Sequence, residues 1–181
     1  MSQITDKELL DLFQNPETEI QGFNLIVRNF QERVYWHVRK IVISHDDAND
    51  VVQNTFIKAW KGLLNFRGDS KLYTWLYRIA TNEAITFLRK KRKHTFVNID
   101  DLAEGLITKI EGPFFDGNEI EKKLQKAILT LPTKQRIVFN MRYYEEIKYE
   151  ELSLILDTSV GALKASYHHA KNKIEDYLKT N

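Results

Sequence analysis

The chain has 181 residues, 43% of them hydrophobic, with 7 Gly, 3 Pro and no Cys. That suits one domain or two small ones with packed cores, leaves too little Gly and Pro for a loop-rich β protein, and excludes disulfides, Cys-ligated zinc and thiol redox chemistry in favour of a reducing compartment. A net charge of +2 is too small for a protein that grips DNA by bulk charge, so any nucleic-acid role must rest on local patches or on a larger scaffold.

The opening residues, MSQITDKELLDLF, are polar and acidic rather than signal-peptide-like. No apolar run approaches the roughly 20 residues needed to cross a bilayer, so the expectation is a cytoplasmic protein with no direct membrane insertion. Thr5 and Glu8 form a T-x-x-E capping box ahead of Leu9, Leu10, Leu12 and Phe13, and Asn15-Pro16 stops this short helix. From Gly22 to Ile43 the apolar positions Phe23, Ile26, Val27, Phe30, Val34, Val38 and Ile41 step by three and four, which predicts a long amphipathic helix. Tyr35 and Trp36 within it read as core or rim packing.

Ser44 is a cap candidate, and Asp46, Asp47 and Asp50 suit the positive end of the next helix. Val52, Phe56, Ala59, Trp60 and Leu63 are its expected buried stripe, leaving Asp50, Gln53, Asn54 and Lys58 outside. The segment NFRGDS breaks the pattern: Gly68 permits a positive φ, and Asp69 or Ser70 is placed to cap a further helix. That helix is expected from Leu72 through Arg89, with Leu72, Leu76, Ile79, Ala80 and Phe87 inward. A second stripe on it holds Trp75, Arg78, Asn82, Thr86 and Arg89. Aromatic, cationic and amide groups on one face suit stacking on bases, pairing with phosphates and reading base edges. The plain alternative is a core-edge Trp beside solvated polar residues. The helix closes on the basic run Arg89–Lys93.

Residues 94–118 are acidic and interrupted by Gly105, Gly112, Pro113 and Gly117, which predicts a linker with at most a helical turn. Fully extended, about 25 residues span about 80 Å, a little over two duplex turns of roughly 34 Å each. Beyond it, Glu119–Leu131 is expected as a helix with Ile120, Leu124, Ala127, Ile128 and Leu131 inward. Thr133 is the expected cap of a helix using Ile137, Val138 and Met141.

A short helix over Tyr149–Leu156, a turn at Asp157-Thr158-Ser159 and a longer helix from Val160 to Leu178 match the helix-turn-helix plan. Val160, Leu163, Tyr167, Ala170, Ile174 and Tyr177 form the buried face of the last helix, and Lys164, Ala165, Ser166, His168, His169, Lys171 and Lys173 face away. Ser159 sits at the N-cap, and Gly161 and Ala162 leave room for backbone to approach phosphate. A four-helix bundle with a solvated basic face is the alternative.

These residues carry a family resemblance. DDANDVVQNTFIKAW (Asp46–Trp60), FRGDS (Phe66–Ser70) and YTWLYRIATN (Tyr73–Asn82) resemble region two of bacterial RNA polymerase sigma factors of the extracytoplasmic-function (ECF) class. LPTKQRIVF (Leu131–Phe139) and Tyr149–Lys171 resemble region four, in the family order. The resemblance implies an all-α fold of two small helical domains, residues 1–93 and 119–181, joined by the acidic linker 94–118. It implies a non-enzymatic protein without cofactor or metal, which binds core RNA polymerase at the β′ clamp helices and the β flap and directs promoter recognition and strand opening.

By position, Asp47, Asp50, Gln53, Asn54 and Phe56 match the polymerase-docking surface. Phe66, Arg67, Asp69, Ser70 and Lys71 match the loop that captures a base flipped from the minus-ten element, and Trp75, Arg78, Asn82 and Arg89 match the strand-opening face. Lys164, Ala165, Ser166, His168, His169 and Lys171 match the minus-thirty-five reader. Members of the class are commonly held off by an anti-sigma factor. Lys164 and His169 stand where the class often has Arg, so the bidentate guanine fork is missing there.

Two rival readings remain at this level. A stand-alone helix-turn-helix regulator explains only the C-terminal half. A metal-dependent phosphohydrolase would use the His45-Asp46 dyad, with His37 two turns upstream, but a lone dyad is a weak motif.

Overall fold

The computed structural model describes residues 4–95 and 119–180. Within them the chain forms eight helices: α1 (Asp6–Gln14), α2 (Glu19–Val42), α3 (His45–Leu63), α4 (Leu72–Thr95), α5 (Glu119–Leu129), α6 (Thr133–Tyr143), α7 (Tyr149–Leu156) and α8 (Val160–Thr180). The expected turn within the linker lies outside the described residues. Backbone contacts divide the chain into two units, Met1–Thr86 and Phe87–Asn181.

In the first unit, α1 begins with the predicted capping box. The Glu8 amide donates to Thr5 Oγ1 at 3.3 Å and the Thr5 amide to Glu8 Oε2 at 2.7 Å. Leu9 and Phe13 are buried, and α1 lies so close to α2 that a Cβ on Gly22 would sit 2.6 Å from the Phe13 nitrogen. Helix α2 starts at Glu19, three residues earlier than the apolar stripe suggests. An aromatic cluster ties three helices together: Trp60 of α3 meets Phe13 and Phe23 edge-on, with ring centres 5.4 and 4.9 Å away. Fully burying a side chain such as Phe13 contributes roughly 1.5–3 kcal/mol.

The inner face of α3 differs from the expected one by part of a turn. Ala48, Val51, Thr55, Ala59 and Leu63 are buried, while Val52 and Trp60 are only half-buried. Thr55 is tolerated in the core because its hydroxyl donates to the Val51 carbonyl at 2.7 Å. Between α2 and α3 the chain turns at Ile43, which takes φ 68°, a left-handed backbone that a β-branched residue rarely adopts.

Helix α4 runs through the basic stretch to Thr95, beyond the expected end at Arg89. Its buried positions are Leu72, Thr74, Leu76, Tyr77, Ala80, Thr81 and Ala84, with Ile79 and Phe87 half-buried. A polar contact in the core links it to α2. His37 Nε2 lies 2.8 Å from Thr81 Oγ1, and the Thr81 hydroxyl donates its one proton to the Tyr77 carbonyl at 2.7 Å. The imidazole must therefore donate through Nε2–H, which assigns its tautomer. The ring also stacks on Tyr77 with centres 4.4 Å apart. The expected cap from Asp69 or Ser70 is replaced by one from α1: the Leu72 amide donates to Asp6 Oδ2 at 2.8 Å.

In the second unit α5, α6 and α8 enclose a core of Ala127, Ile128, Leu131, Phe139, Ala170 and Ile174, with Leu124, Tyr167 and Tyr177 against it. Ile120, expected inward, is 76% exposed, because it lies in the first turn of α5 beyond the reach of the core. Thr133 is the first residue of α6 rather than its cap; Pro132 holds the cap position and makes no side-chain cap bond. Arg136 is buried in α6, and desolvation lowers its guanidinium pKa to about 10, still charged at neutral pH. Helix α7 has the predicted bounds and ends at Asp157 in the left-handed conformation, φ 50°. Ser159 then caps α8, accepting from the Ala162 amide at 3.3 Å. The expected buried face of α8 divides into Leu163, Ala170 and Ile174, which are buried, and Val160, Tyr167 and Tyr177, which are half-buried.

Candidate nucleic-acid interface

Three surfaces gather the residues singled out from the sequence. The first is the outer face of α3. Ser44 accepts from the Asp47 amide at 3.4 Å; Asp50, Gln53 and Asn54 are exposed and Asp47 is half-buried. Helical spacing puts them on one side. Phe56 is not among them: it is 8% exposed and turned inward, edge-on to Phe23 with ring centres 6.5 Å apart. It supports this surface from beneath.

The second surface is the loop between α3 and α4 together with the adjoining face of α4. Gly68 takes φ 76°, as the motif predicted, so the loop doubles back. Phe66 folds under, with its ring 5.1 Å from that of Trp75. The indole lies over α3 at Gly62, where a Cβ would come within 2.9 Å of Trp75 Cζ2. Trp75 is thus half-buried, wedged between loop and helix, while Arg78, Asn82 and Arg89 are exposed along the same stripe. Lys58 of α3 pairs with Glu83 of α4 beside this face.

A cavity of about 590 Å³ opens between residues 66–71 and the α1 residues Asp6, Leu10, Asp11 and Gln14. Sequence reasoning missed this second wall. Its only local trace is the acidic first turn of α1, and that reads as ordinary helix-dipole chemistry.

The third surface is the outer face of α8. Lys164, Ala165, His168, His169 and Lys171 are exposed and Ser166 is half-buried. A Cβ on Gly161 would meet open space. Lys171 pairs with Glu175 at 3.6 Å, an exposed contact of small net worth. His168 Nε2 lies 3.2 Å from Asn172 Nδ2. Lys164 Nζ lies 5.7 Å from the ring centre of Tyr149, a residue that no sequence pattern assigns to a site.

The His45-Asp46 dyad is differently employed. His45 Nδ1 lies 2.6 Å from the Tyr35 hydroxyl and its Nε2 lies 3.2 Å from Asn49 Nδ2. His37, its supposed co-ligand, is buried against Thr81 and Tyr77. Among the described residues no group of three or more His, Asp and Glu is gathered to hold a metal ion, and no helix is long and apolar enough to cross a membrane.

Two known families of domain match the chain in succession. The description "Sigma-70 region 2" matches residues 26–94 and "Sigma-70, region 4" matches residues 121–174. The chain therefore belongs to the sigma-70 family of RNA polymerase sigma factors and has their role in transcription initiation.

Curated relatives refine the class. The ECF RNA polymerase sigma-E factors of Salmonella typhimurium and Escherichia coli K12 are each 33% identical over 96% of this chain and 94% of their own length. That of Haemophilus influenzae is 32% identical over 97% of this chain and 96% of its own. Two solved structures share the fold at 22% identity. The sigma factor RpoE in complex with the anti-sigma factor NepR, from Bartonella quintana, has a TM-score of 0.67 over 88% of this chain and 98% of that one. CnrH in complex with the cytosolic domain of CnrY has a TM-score of 0.70 over 97% and 98%. Sigma factors are as a class non-catalytic regulators of transcription.

Proposed function

We propose that residues 1–93 dock on core RNA polymerase and open the minus-ten element, that residues 119–181 read the minus-thirty-five element, and that residues 94–118 connect them. The observation that carries this reading is Trp75, seated on Phe66 and Gly62, at the head of an exposed Arg78–Asn82–Arg89 stripe. A flipped base needs an aromatic or apolar receptacle with cations close by for its phosphates, and the loop 66–71 with Arg67 and Lys71 supplies both. The docking surface in this reading is Asp47, Asp50, Gln53 and Asn54 on α3, facing the β′ clamp helices, with the second unit engaging the β flap.

Magnitudes explain why the chain needs its partner. Unstacking duplex costs about 1.4 kcal/mol per base-pair step, and one captured base returns about 1–3 kcal/mol. A bubble cannot be melted on that alone, so polymerase supplies the remaining strand contacts and this chain selects where opening begins. Two weak readers on one scaffold gain through effective concentration, which suits a net charge of only +2. Upstream, Lys164 and His169 give point contacts in place of arginine forks, so more of that grip comes from phosphates.

The chain performs no covalent chemistry in this reading, needs no cofactor, and acts in the cytoplasm where polymerase and DNA are. The Bartonella quintana neighbour was solved with the anti-sigma factor NepR, and a protein of that kind is the regulator proposed here.

The test is run-off transcription on genomic fragments with core polymerase, with and without the chain, paired with footprinting. Defined starts should appear only when the chain is present, and the chain alone should protect promoter duplex weakly. Strong sequence-specific protection by the isolated chain would favour a stand-alone regulator. Association with polymerase without start-site choice would defeat the assignment outright.

A further inference from the structure

In the first unit the Tyr73 ring has Arg33 at 5.3 Å and Lys71 at 5.8 Å from its centre. The second unit repeats the arrangement with different elements. Tyr149, the first residue of α7, has Arg142 of α6 at 4.9 Å and Lys164 of α8 at 5.7 Å. Arg142 is tied down, since its Nη1 donates to the Ile147 carbonyl at 2.7 Å. Lys164 has no such tie, and among the described residues it makes no ion pair with a carboxylate. Its ammonium lies over the ring of Tyr149.

A lysine stem is flexible and its ammonium is a point charge without the planar fork of arginine. Freezing it on DNA costs rotamer entropy, and a contact that already restricts the stem in the free protein lowers that cost. The negative face of an aromatic ring supplies such a contact. We propose that Tyr149 is a positioning residue for Lys164: its ring holds the ammonium at the start of α8 and thereby contributes to which upstream sequence is preferred. This rests on the proposed role of Lys164 in reading the upstream element.

The experiment uses holoenzyme reconstituted from core polymerase and the full chain, on a promoter library randomised across the upstream element. Tyr149→Leu and Tyr149→Phe are each placed in the Lys164 and Lys164→Ala backgrounds. Tyr149→Leu should lower use of preferred promoters by about two- to fivefold, the range a partly exposed cation–π contact supports, and flatten the same base preference that Lys164→Ala flattens. Tyr149→Phe should retain both, and Tyr149→Leu should add nothing once Lys164 is Ala. Equal losses in both backgrounds, or a Phe variant as poor as Leu, overturn the proposal.

A second measurement guards against a simple folding defect. The Lys164 methylene protons of the free chain should be ring-shifted upfield in wild type and Tyr149→Phe; unshifted protons in the wild type overturn the contact itself. If Lys164→Ala leaves every base preference intact while the ring shift is present, the reader assignment of Lys164 fails, and the proposal falls with it.

Discussion

Asp6 and Leu72 are joined by a backbone-to-carboxylate bond of 2.8 Å, so the helix with the proposed strand-opening face is capped from the first turn of α1. The same α1 forms one wall of the cavity against residues 66–71. The first short helix thus fixes where α4 starts and how the loop before it is held.

Asp6→Ala should cost about 0.5–2 kcal/mol, the usual range for losing a helix cap. In urea the midpoint should fall with an unchanged slope. Asp6→Asn keeps an acceptor and should lose less. Because Asp6 also lies in the first turn of α1, part of the loss in the Ala variant comes from that helix dipole; a Lys7→Ala control reports changes in that turn that leave the cap intact. An Asp6→Ala midpoint equal to wild type would show that the cap contributes nothing.

The capping box makes α1 sensitive to acid. The Thr5 amide and hydroxyl both donate to Glu8 and hold its carboxyl below the ordinary value of 4.5. A carboxylate with a depressed folded-state pKa stabilises above its unfolded value, and that contribution is lost as pH falls through the folded value. Wild type should therefore exceed Glu8→Gln in stability at neutral pH, and the gap should close below about pH 4. Paired unfolding curves from pH 3 to 7 check it; a gap independent of pH contradicts the assignment.

The buried link between α2 and α4 makes a sharper prediction. Thr81→Val preserves shape but removes the acceptor for His37 Nε2–H. Loss of a partner to a buried donor costs about 1–3 kcal/mol. Thr81→Ser should restore most of it. Nitrogen shifts of the His37 ring should report the Nε2–H form in wild type, and a ring protonated at Nδ1 alone would contradict the bond as drawn.

These cases mark how far the fold is legible in the sequence. Helix type and order come from apolar spacing, and FRGDS is readable because Gly68 and its polar neighbours punctuate two strong periodic runs. Thr55, Thr74 and Thr81 are not recognisable as core, since hydropathy counts them polar. At Thr55 and Thr81 the hydroxyl is satisfied by the carbonyl four residues back. Val51 rather than Val52 faces inward, a choice the sequence leaves open because the two adjacent apolar residues differ by about 100° in helix phase. The Asp6 cap and the Tyr149–Lys164 contact join residues far apart in the chain, and no local pattern announces either. On the proposed interface, residue types point to Trp75, Arg78 and Asn82, but only the fold reveals Gly62 beneath the indole and Phe56 turned inward.

The proposed strand-opening face can be tested without disturbing the core. Arg78 and Asn82 are exposed, so replacing each with Ala should leave stability within about 0.5 kcal/mol. Trp75→Ala, by contrast, uncovers Gly62 and Phe66 and should cost stability as well as function. All three should reduce permanganate reactivity of promoter thymines more than they reduce closed-complex formation, because the lost contacts act on separated strands. Each should cost about 1–3 kcal/mol of opening if a stacked base or its phosphate is lost, roughly 5- to 160-fold in the opening equilibrium. Comparing Arg78→Ala with Trp75→Ala separates the two causes: a fold defect would appear in the Trp variant alone, whereas loss of strand capture appears in both. Thymines as reactive in Arg78→Ala and Asn82→Ala as in wild type would move strand opening off this face of α4.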